Sequence, residues 1–170
     1  VHDIPNGNVI TGSHYVRIAG GGKGGIARSD DFAEHWRVES EDLPDAPAVS
    51  IVLDPRSPKD KRTLYTSLYA KGVYRSTDGG RTWQERSRGL GSESNRRVCR
   101  LILHSDGTLF CLVTAMYRDG RFEPDGVGLY RSRDEGENWE LITRSPVLLW
   151  PKDFCIDSKN SREIYLGAAD

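Results

Sequence analysis

The sequence predicts an all-β chain. It reads as a β-propeller segment of four-stranded antiparallel blades, about three blades plus part of a fourth, making an incomplete ring. Three observations carry this. A motif of the form Ser-x-Asp followed by Trp recurs, with Ser29, Ser76 and Ser132 standing 47 and then 56 residues apart. Each recurrence is accompanied by short runs rich in β-branched and aromatic residues, bounded by turn formers. No segment longer than a turn shows helical periodicity. Four antiparallel strands per roughly 40–50 residues is the arithmetic of a propeller blade.

The elements follow in chain order. The first unit, residues 1–43, is compressed, with strands expected at Val1–Ile4, Val9–Ala19, Gly25–Ser29 and His35–Glu39. In the second, residues 44–92, Ala48–Leu53 is a β-rich run, Asp54-Pro55 and Ser57-Pro58 punctuate a turn, and Thr63–Tyr69 alternates. A short Ala70-Lys71 loop then leads to strands at Gly72–Ser76 and Thr82–Arg86. The third unit, residues 93–147, repeats this near Val98–Leu103, Thr108–Ala115, Val127–Ser132 and Asn138–Thr143. A fourth starts in residues 148–170, with Asp153–Ile156 and Glu163–Ala168. A ring needs about four to eight blades. The expectation is therefore an excerpt of a larger propeller, with the remaining blades supplied by the same parent protein or by a second chain. Val1 at the start without a signal peptide reads likewise as a mature form or an excerpt.

Composition narrows the function classes. Of 170 residues, 24 are basic and 25 acidic, so the net charge of −1 provides no field to hold a nucleic-acid backbone. The longest apolar run, Pro146–Pro151, is about a third of the ~18–20 residues that a membrane helix needs, so no membrane insertion is expected. Cys99, Cys111 and Cys155 form no CxxC and the four histidines are scattered, which predicts no zinc site and no metal. No cofactor motif stands out; the glycine run Gly20–Gly25 lacks GxxxxGK[ST] and reads as a tight loop. Cys99 and Cys111 would lie nearly opposite across a hairpin at His104–Gly107, either as two small buried apolar residues or as a bonded pair.

The chemistry of the repeated motif points to structure. It falls on the hairpin between third and fourth strands. There Asp78 can accept backbone N–H groups within the turn, Gly80 can supply a positive φ, and Trp83 can bury its indole and donate through its N–H. Ser29, Asp31 and Trp36, then Ser76, Asp78, Gly80 and Trp83, then Ser132, Asp134, Gly136 and Trp139 are thus read as folding pins rather than catalytic groups. The first copy has Ala33 and His35 where the others have glycine and Thr or Asn, which predicts a distorted turn. Arg28, Arg75 and Arg131 precede each Ser. As equivalent residues spread around a ring, they are not expected to converge on one ligand.

The string Ser76-Thr77-Asp78-Gly79-Gly80-Arg81-Thr82-Trp83 resembles the Asp-box, or BNR repeat, of the sialidase-like superfamily, whose pattern is Ser/Thr-x-Asp-x-Gly-x-Thr-Trp. The run Leu53–Pro58, followed by Tyr65 and Gly72–Ser76, is similar in wording to the sortilin-like receptors and the xyloglucan-cleaving glycoside hydrolases. Sialidases carry an Arg-Ile-Pro sequence that is missing here; Arg17-Ile18-Ala19 is the nearest string. The resemblance implies an Asp-box propeller in a secreted or cell-envelope protein. It implies carbohydrate binding or glycoside-hydrolase-like processing, with noncatalytic protein or peptide binding, as in the sortilin group, as the alternative and pure scaffolding as a third.

Blade topology sorts the loops onto two ends. The Asp-containing turns share one. Second-to-third strand loops and interblade connections share the other, where the resemblance places ligands. Three stretches there matter: Gly20–Gly25, the long loop 116–126, and Ser145–Asp153. Tyr117, Arg118, Asp119, Arg121, Phe122, Glu123 and Asp125 mix aromatics for stacking on sugar rings with charges for hydroxyls, and Trp150 and Asp153 adjoin them. They are the ligand-binding candidates, for a glycan or a peptide. Retaining glycosidases need two carboxyls ~5 Å apart and inverting ones ~6.5–9.5 Å. Asp119, Glu123, Asp125 and Asp153 share the face, but no catalytic pair can be read from the sequence.

Overall fold

A computed structural model describes residues 2–3, 8–13, 25–39, 41–143 and 150–168, with 2–3, 8–13 and 118 given through their backbone alone. Most of the glycine run, at 20–24, and residues 145–149 of the interblade stretch lie outside the described residues. Among the described residues every regular element is a strand. None forms a helix long and apolar enough to cross a membrane.

Successive antiparallel sheets organise the chain. The first comprises β1 (His2–Asp3), β2 (Asn8–Ser13), β3 (Gly25–Ser29) and β4 (Arg37–Val38), in that order. The second comprises β5 (Ala48–Leu53), β6 (Leu64–Leu68), β7 (Gly72–Ser76) and β8 (Gln84–Glu85). The third is built from β9 (Val98–Leu103), β10 (Leu109–Val113), β13 (Gly128–Ser132) and β14 (Glu140–Leu141), with a small hairpin, β11 (Met116–Arg118) and β12 (Arg121–Glu123), inserted after β10. A two-stranded sheet, β15 (Pro151–Asp157) and β16 (Asn160–Ala168), follows. Sequential meanders stacked side by side make this a partial propeller.

The middle strands are buried on both faces, so β6 and β10 are covered at every residue. Their alternating side chains serve two different interfaces. Leu64 and Leu68 pack with Ile26, Leu43, Tyr74 and Trp83 between the first and second sheets. Tyr65 and Val73 meet Val98, Leu101, Leu109, Cys111 and Trp139 between the second and third. Phe110 and Leu112 pack with Leu129 and Phe154 between the third and fourth. The core is thus a series of seams between sheets, each needing both neighbours to exclude water.

The Ser-x-Asp turns share one hydrogen-bonding scheme. Ser29, Ser76 and Ser132 donate through Oγ to Asp31, Asp78 and Asp134 at 2.7–2.8 Å. The same Oγ atoms accept the backbone N–H of Ala33, Gly80 and Gly136, each at 2.9 Å. Each Asp then accepts the N–H of the residue four positions on, and with its other oxygen meets that residue's side chain: His35 at 2.6 Å, Thr82 at 2.6 Å and Asn138 at 2.7 Å. These bonds favour the ionised carboxylate. Although burial pushes Asp78 upward, its bonds with Thr82 and Ser76 hold it below the usual carboxylate value, and Asn138 does the same for Asp134.

The expected distortion of the first turn is not found. Phe32 and Ala33 adopt φ of 58° and 73°, the left-handed geometry that Gly79 and Gly80 take at 80° and 96°. The side-chain bonds to Ser29 and Asp31 hold the turn against the cost of a Cβ in that region. What differs is the tryptophan. Trp36 is 44% exposed, against 7% for Trp83 and 6% for Trp139.

Those two buried indoles reach across a seam. Trp83 Nε1 donates to Gly80 O within its own turn at 2.9 Å and to Glu39 O at the end of the first sheet at 3.2 Å. Trp139 Nε1 donates to Arg86 O, the equivalent position after the second sheet, at 2.8 Å. Their backbone N–H groups also cross, to Asp42 Oδ2 at 2.7 Å and to Arg88 O at 2.9 Å. The arginines before each Ser reach forward. Arg75 pairs with Glu135 of the next turn at 2.5 Å, and a Cβ on Gly79, the equivalent of Glu135, would stand 3.7 Å from Arg28 Nη1. Arg131 instead pairs with Glu140 on the adjacent strand. The three therefore do not converge.

All three cysteines are free. The β9–β10 register pairs Cys111 with Leu101, and Cys99 falls at the irregularity between Leu112 and Val113, where it donates to Leu112 O at 3.4 Å. Burial pushes the Cys99 thiol up to about 11 and the Cys111 thiol well above its ordinary value.

Ala33→Gly is expected to stabilise the chain by about 0.5 kcal/mol, the left-handed cost removed less the added unfolded-state freedom of glycine. Thermal and urea melts check the sign; destabilisation would mean that the first turn is relaxed with alanine.

Candidate ligand-binding face

The connection from β10 to β13 is not an irregular loop. Its centre is the β11–β12 hairpin, whose two-residue turn, Asp119-Gly120, has positive φ at both positions, 50° and 79°, as a type I′ turn requires. Cross-strand pairing sets Tyr117 opposite Phe122, with ring centroids 4.9 Å apart and planes at 60°. Phe122 lies 4.6 Å from Trp150, which enters from the connection before β15. Lys152 Nζ sits 3.0 Å from the centroid of the Trp150 ring. Three rings from two connections thus form a row, edged by a cation. Its outer member, Tyr117, is 64% exposed.

The hairpin's base is tied to residues 92–95. Asn95 is buried and donates through Nδ2 to Thr114 O at 3.1 Å and Asp125 O at 2.8 Å, bridging the two ends of the insertion. Ser94 donates to Asp125 Oδ2 at 2.8 Å. Hydrogen bonds from Ser92 and Ser94 hold the Asp125 carboxyl below its ordinary value. Gly126, at φ 68°, packs so close that a Cβ would stand 2.6 Å from Ser92 N.

The structure thus brings Tyr117, Phe122 and Trp150 together, while each carboxylate has its own surroundings. Asp119 and Arg121 are exposed around the hairpin tip and Glu123 ends β12. Asp125 is engaged by serines, and Asp153 lies 3.4 Å from Arg100 Nε while accepting Phe154 N–H at 2.9 Å. The Arg118 side chain lies outside the described residues. At the opposite end, Asp31, Glu34 and His35 bring three ligand-type atoms within 4.8 Å, on an exposed turn where both Asp31 oxygens are already bonded to Ser29 and His35.

A second feature on the same end was missed by sequence reasoning. A cleft of about 230 Å³ opens between the second and third sheets, lined by Pro47, Val49, Tyr69, Arg97, Val98, Cys99 and Thr114. Arg97 stacks on Tyr69, 5.6 Å from guanidinium carbon to ring centroid, and its Nε donates to Tyr69 Oη at 3.3 Å. The available signal was positional. Tyr69 follows a second strand and Arg97 precedes a first strand, both at the end where the candidate loops gather.

No protein-family model matches the chain, and no curated protein matches it. Solved structures do. A GH74 enzyme from Niastella koreensis superposes with a TM-score of 0.67 at 19% identity, over 95% of this chain and 23% of that one. The GH74 xyloglucanase from Xanthomonas campestris superposes at 0.51 and 16% identity, over 95% of this chain and 34% of that one. YCF48 bound to D1 peptide gives only 0.28 at 16% identity, covering 86% of this chain and 70% of that one. The first two share this chain's fold, and the chain spans about a quarter and a third of their lengths.

Asn95→Ala is expected to cost about 1–3 kcal/mol, because it orphans two carbonyls at the hairpin base. It should also make the segment 116–126 a preferred site of limited proteolysis. Cleavage no faster than in the unaltered chain would show that Asn95 does not anchor the insertion.

Proposed function

We propose that this chain is a segment of an Asp-box propeller of the sialidase-like superfamily, in a secreted or cell-envelope protein, that binds carbohydrate on the face carrying the β11–β12 hairpin. The observation that carries the reading is the row of Tyr117, Phe122 and Trp150. Aromatic faces bind the C–H faces of pyranose rings, and a row of them suits an extended saccharide better than a single sugar. Around the row, Arg121, Lys152, Asp119 and Glu123 offer donors and acceptors to hydroxyls. One of the similar folds is described as a xyloglucanase, which makes a plant-type polysaccharide the first ligand class to try.

Binding is proposed, and hydrolysis is not assigned to this segment. Asp125 is engaged by Ser94, Asp153 by Arg100, and Asp119 stands at a hairpin tip, and no two acids of this face are assigned as a catalytic pair. The Ser-x-Asp turns serve as folding pins on the opposite end. Blades are assigned to residues 1–43, 44–92 and 93–147, with another beginning at 148–170, and further blades from the parent protein or a second chain would complete the ring.

A glycan array and calorimetry with xyloglucan oligosaccharides test the reading on the full chain. Tyr117→Ala and Trp150→Ala are each expected to weaken binding about tenfold, the loss of one stacking contact. The exposed Tyr117 substitution should leave the melting temperature unchanged. Silence on the array, or variants that bind as the unaltered chain does, would overturn the reading; peptide capture by the same face would favour the noncatalytic scaffold instead.

A further inference from the structure

The cleft between the second and third sheets holds a charge without a counter-charge. Its walls are the apolar surfaces of Pro47, Val49 and Val98, with Thr114 and Cys99 completing it. Burial pushes the Cys99 thiol up to about 11, so it remains a neutral wall. Arg97 is the one cation of the lining, and no carboxylate lines the cleft.

The partners of Arg97 are incomplete. Its backbone is set by the bond from Thr114 N–H to Arg97 O at 3.0 Å. Its Nε is taken by Tyr69 Oη. Its Nη1 is shielded from water and has no hydrogen-bond partner among the described residues. A guanidinium carries five N–H donors in a planar fork, and a ligand reaches only those that face the cleft, since an Nη1 closed to water is closed to a carboxylate as well. Stacking on Tyr69 also holds the fork in one orientation at the cleft mouth. Such an arrangement lacks a planar monoanion, and the apolar walls beyond it fit a hydrocarbon body. A doubly charged phosphate would meet only one cation among apolar walls.

We propose that this cleft binds a small monocarboxylate with an apolar body, such as a short-chain or aromatic acid, its carboxylate on Arg97 and its body against Pro47, Val49 and Val98. The site is separate from the aromatic row and does not depend on the carbohydrate reading.

Ligand-observed NMR and calorimetry on the full chain test this with matched pairs: hexanoate against 1-hexanol, and benzoate against benzyl alcohol. Each acid is expected to bind about tenfold more tightly than its alcohol. Arg97→Gln should reduce the acids to the level of the alcohols, while Arg97→Lys retains part of the preference and Tyr117→Ala none of the loss. Equal binding of acid and alcohol by the unaltered chain would overturn the proposal whatever the variants do. So would undiminished acid binding in a folded Arg97→Gln, or no saturation by either acid below about 10 mM.

Discussion

Each buried indole of this chain is donated across a seam. Trp83 and Trp139 sit in the turn of one sheet and bond a carbonyl at the end of the sheet before it. A single sheet of this size buries too little apolar surface to stand alone. The seams must be closed, and the closing pieces recur: the Ser-x-Asp turn fixes the tryptophan's entry, and the indole fills the gap. Ion pairs such as Arg86–Glu137, 3.0 Å apart, lie along the second seam. They lie near solvent and are minor beside the burial of an indole.

Fixing the seams at one end leaves the other end free. The turns that carry the tryptophans are short and internally bonded, so variation there would disturb the stacking. The opposite connections carry no such duty. The one between β10 and β13 accommodates an extra hairpin, while the equivalent link between β6 and β7 is a tight turn. The aromatic row and the Arg97 cleft both lie on this permissive end, placed by strands whose positions the seams determine.

Much of this architecture was legible in the residues. The expected strands Ala48–Leu53, Gly72–Ser76 and Val98–Leu103 are found with those bounds, because their apolar runs end at turn formers. The fourth strands are shorter than expected, Gln84–Glu85 rather than Thr82–Arg86, because Thr82 and Trp83 are occupied by the turn and the seam. Ala33 suggested a distorted turn because local propensity was weighed without the two side chains that override it. The hairpin at 116–123 had a sequence signal, Asp119-Gly120, hidden by treating the insertion as one loop. The approach of Trp150 to Phe122 and of Arg97 to Tyr69 had none, since both depend on how separate connections converge; the second pair is 28 residues apart in the chain.

The central claim is that the indoles bind sheet to sheet rather than only bracing their own turns. Native-state hydrogen exchange on Trp139→Phe, which keeps a ring but removes the donor to Arg86 O, tests it most directly. Protection should fall together in β7–β8 and in β13–β14, on both sides of the seam. Loss confined to residues 132–139, with β7 and β8 unaffected, would contradict it.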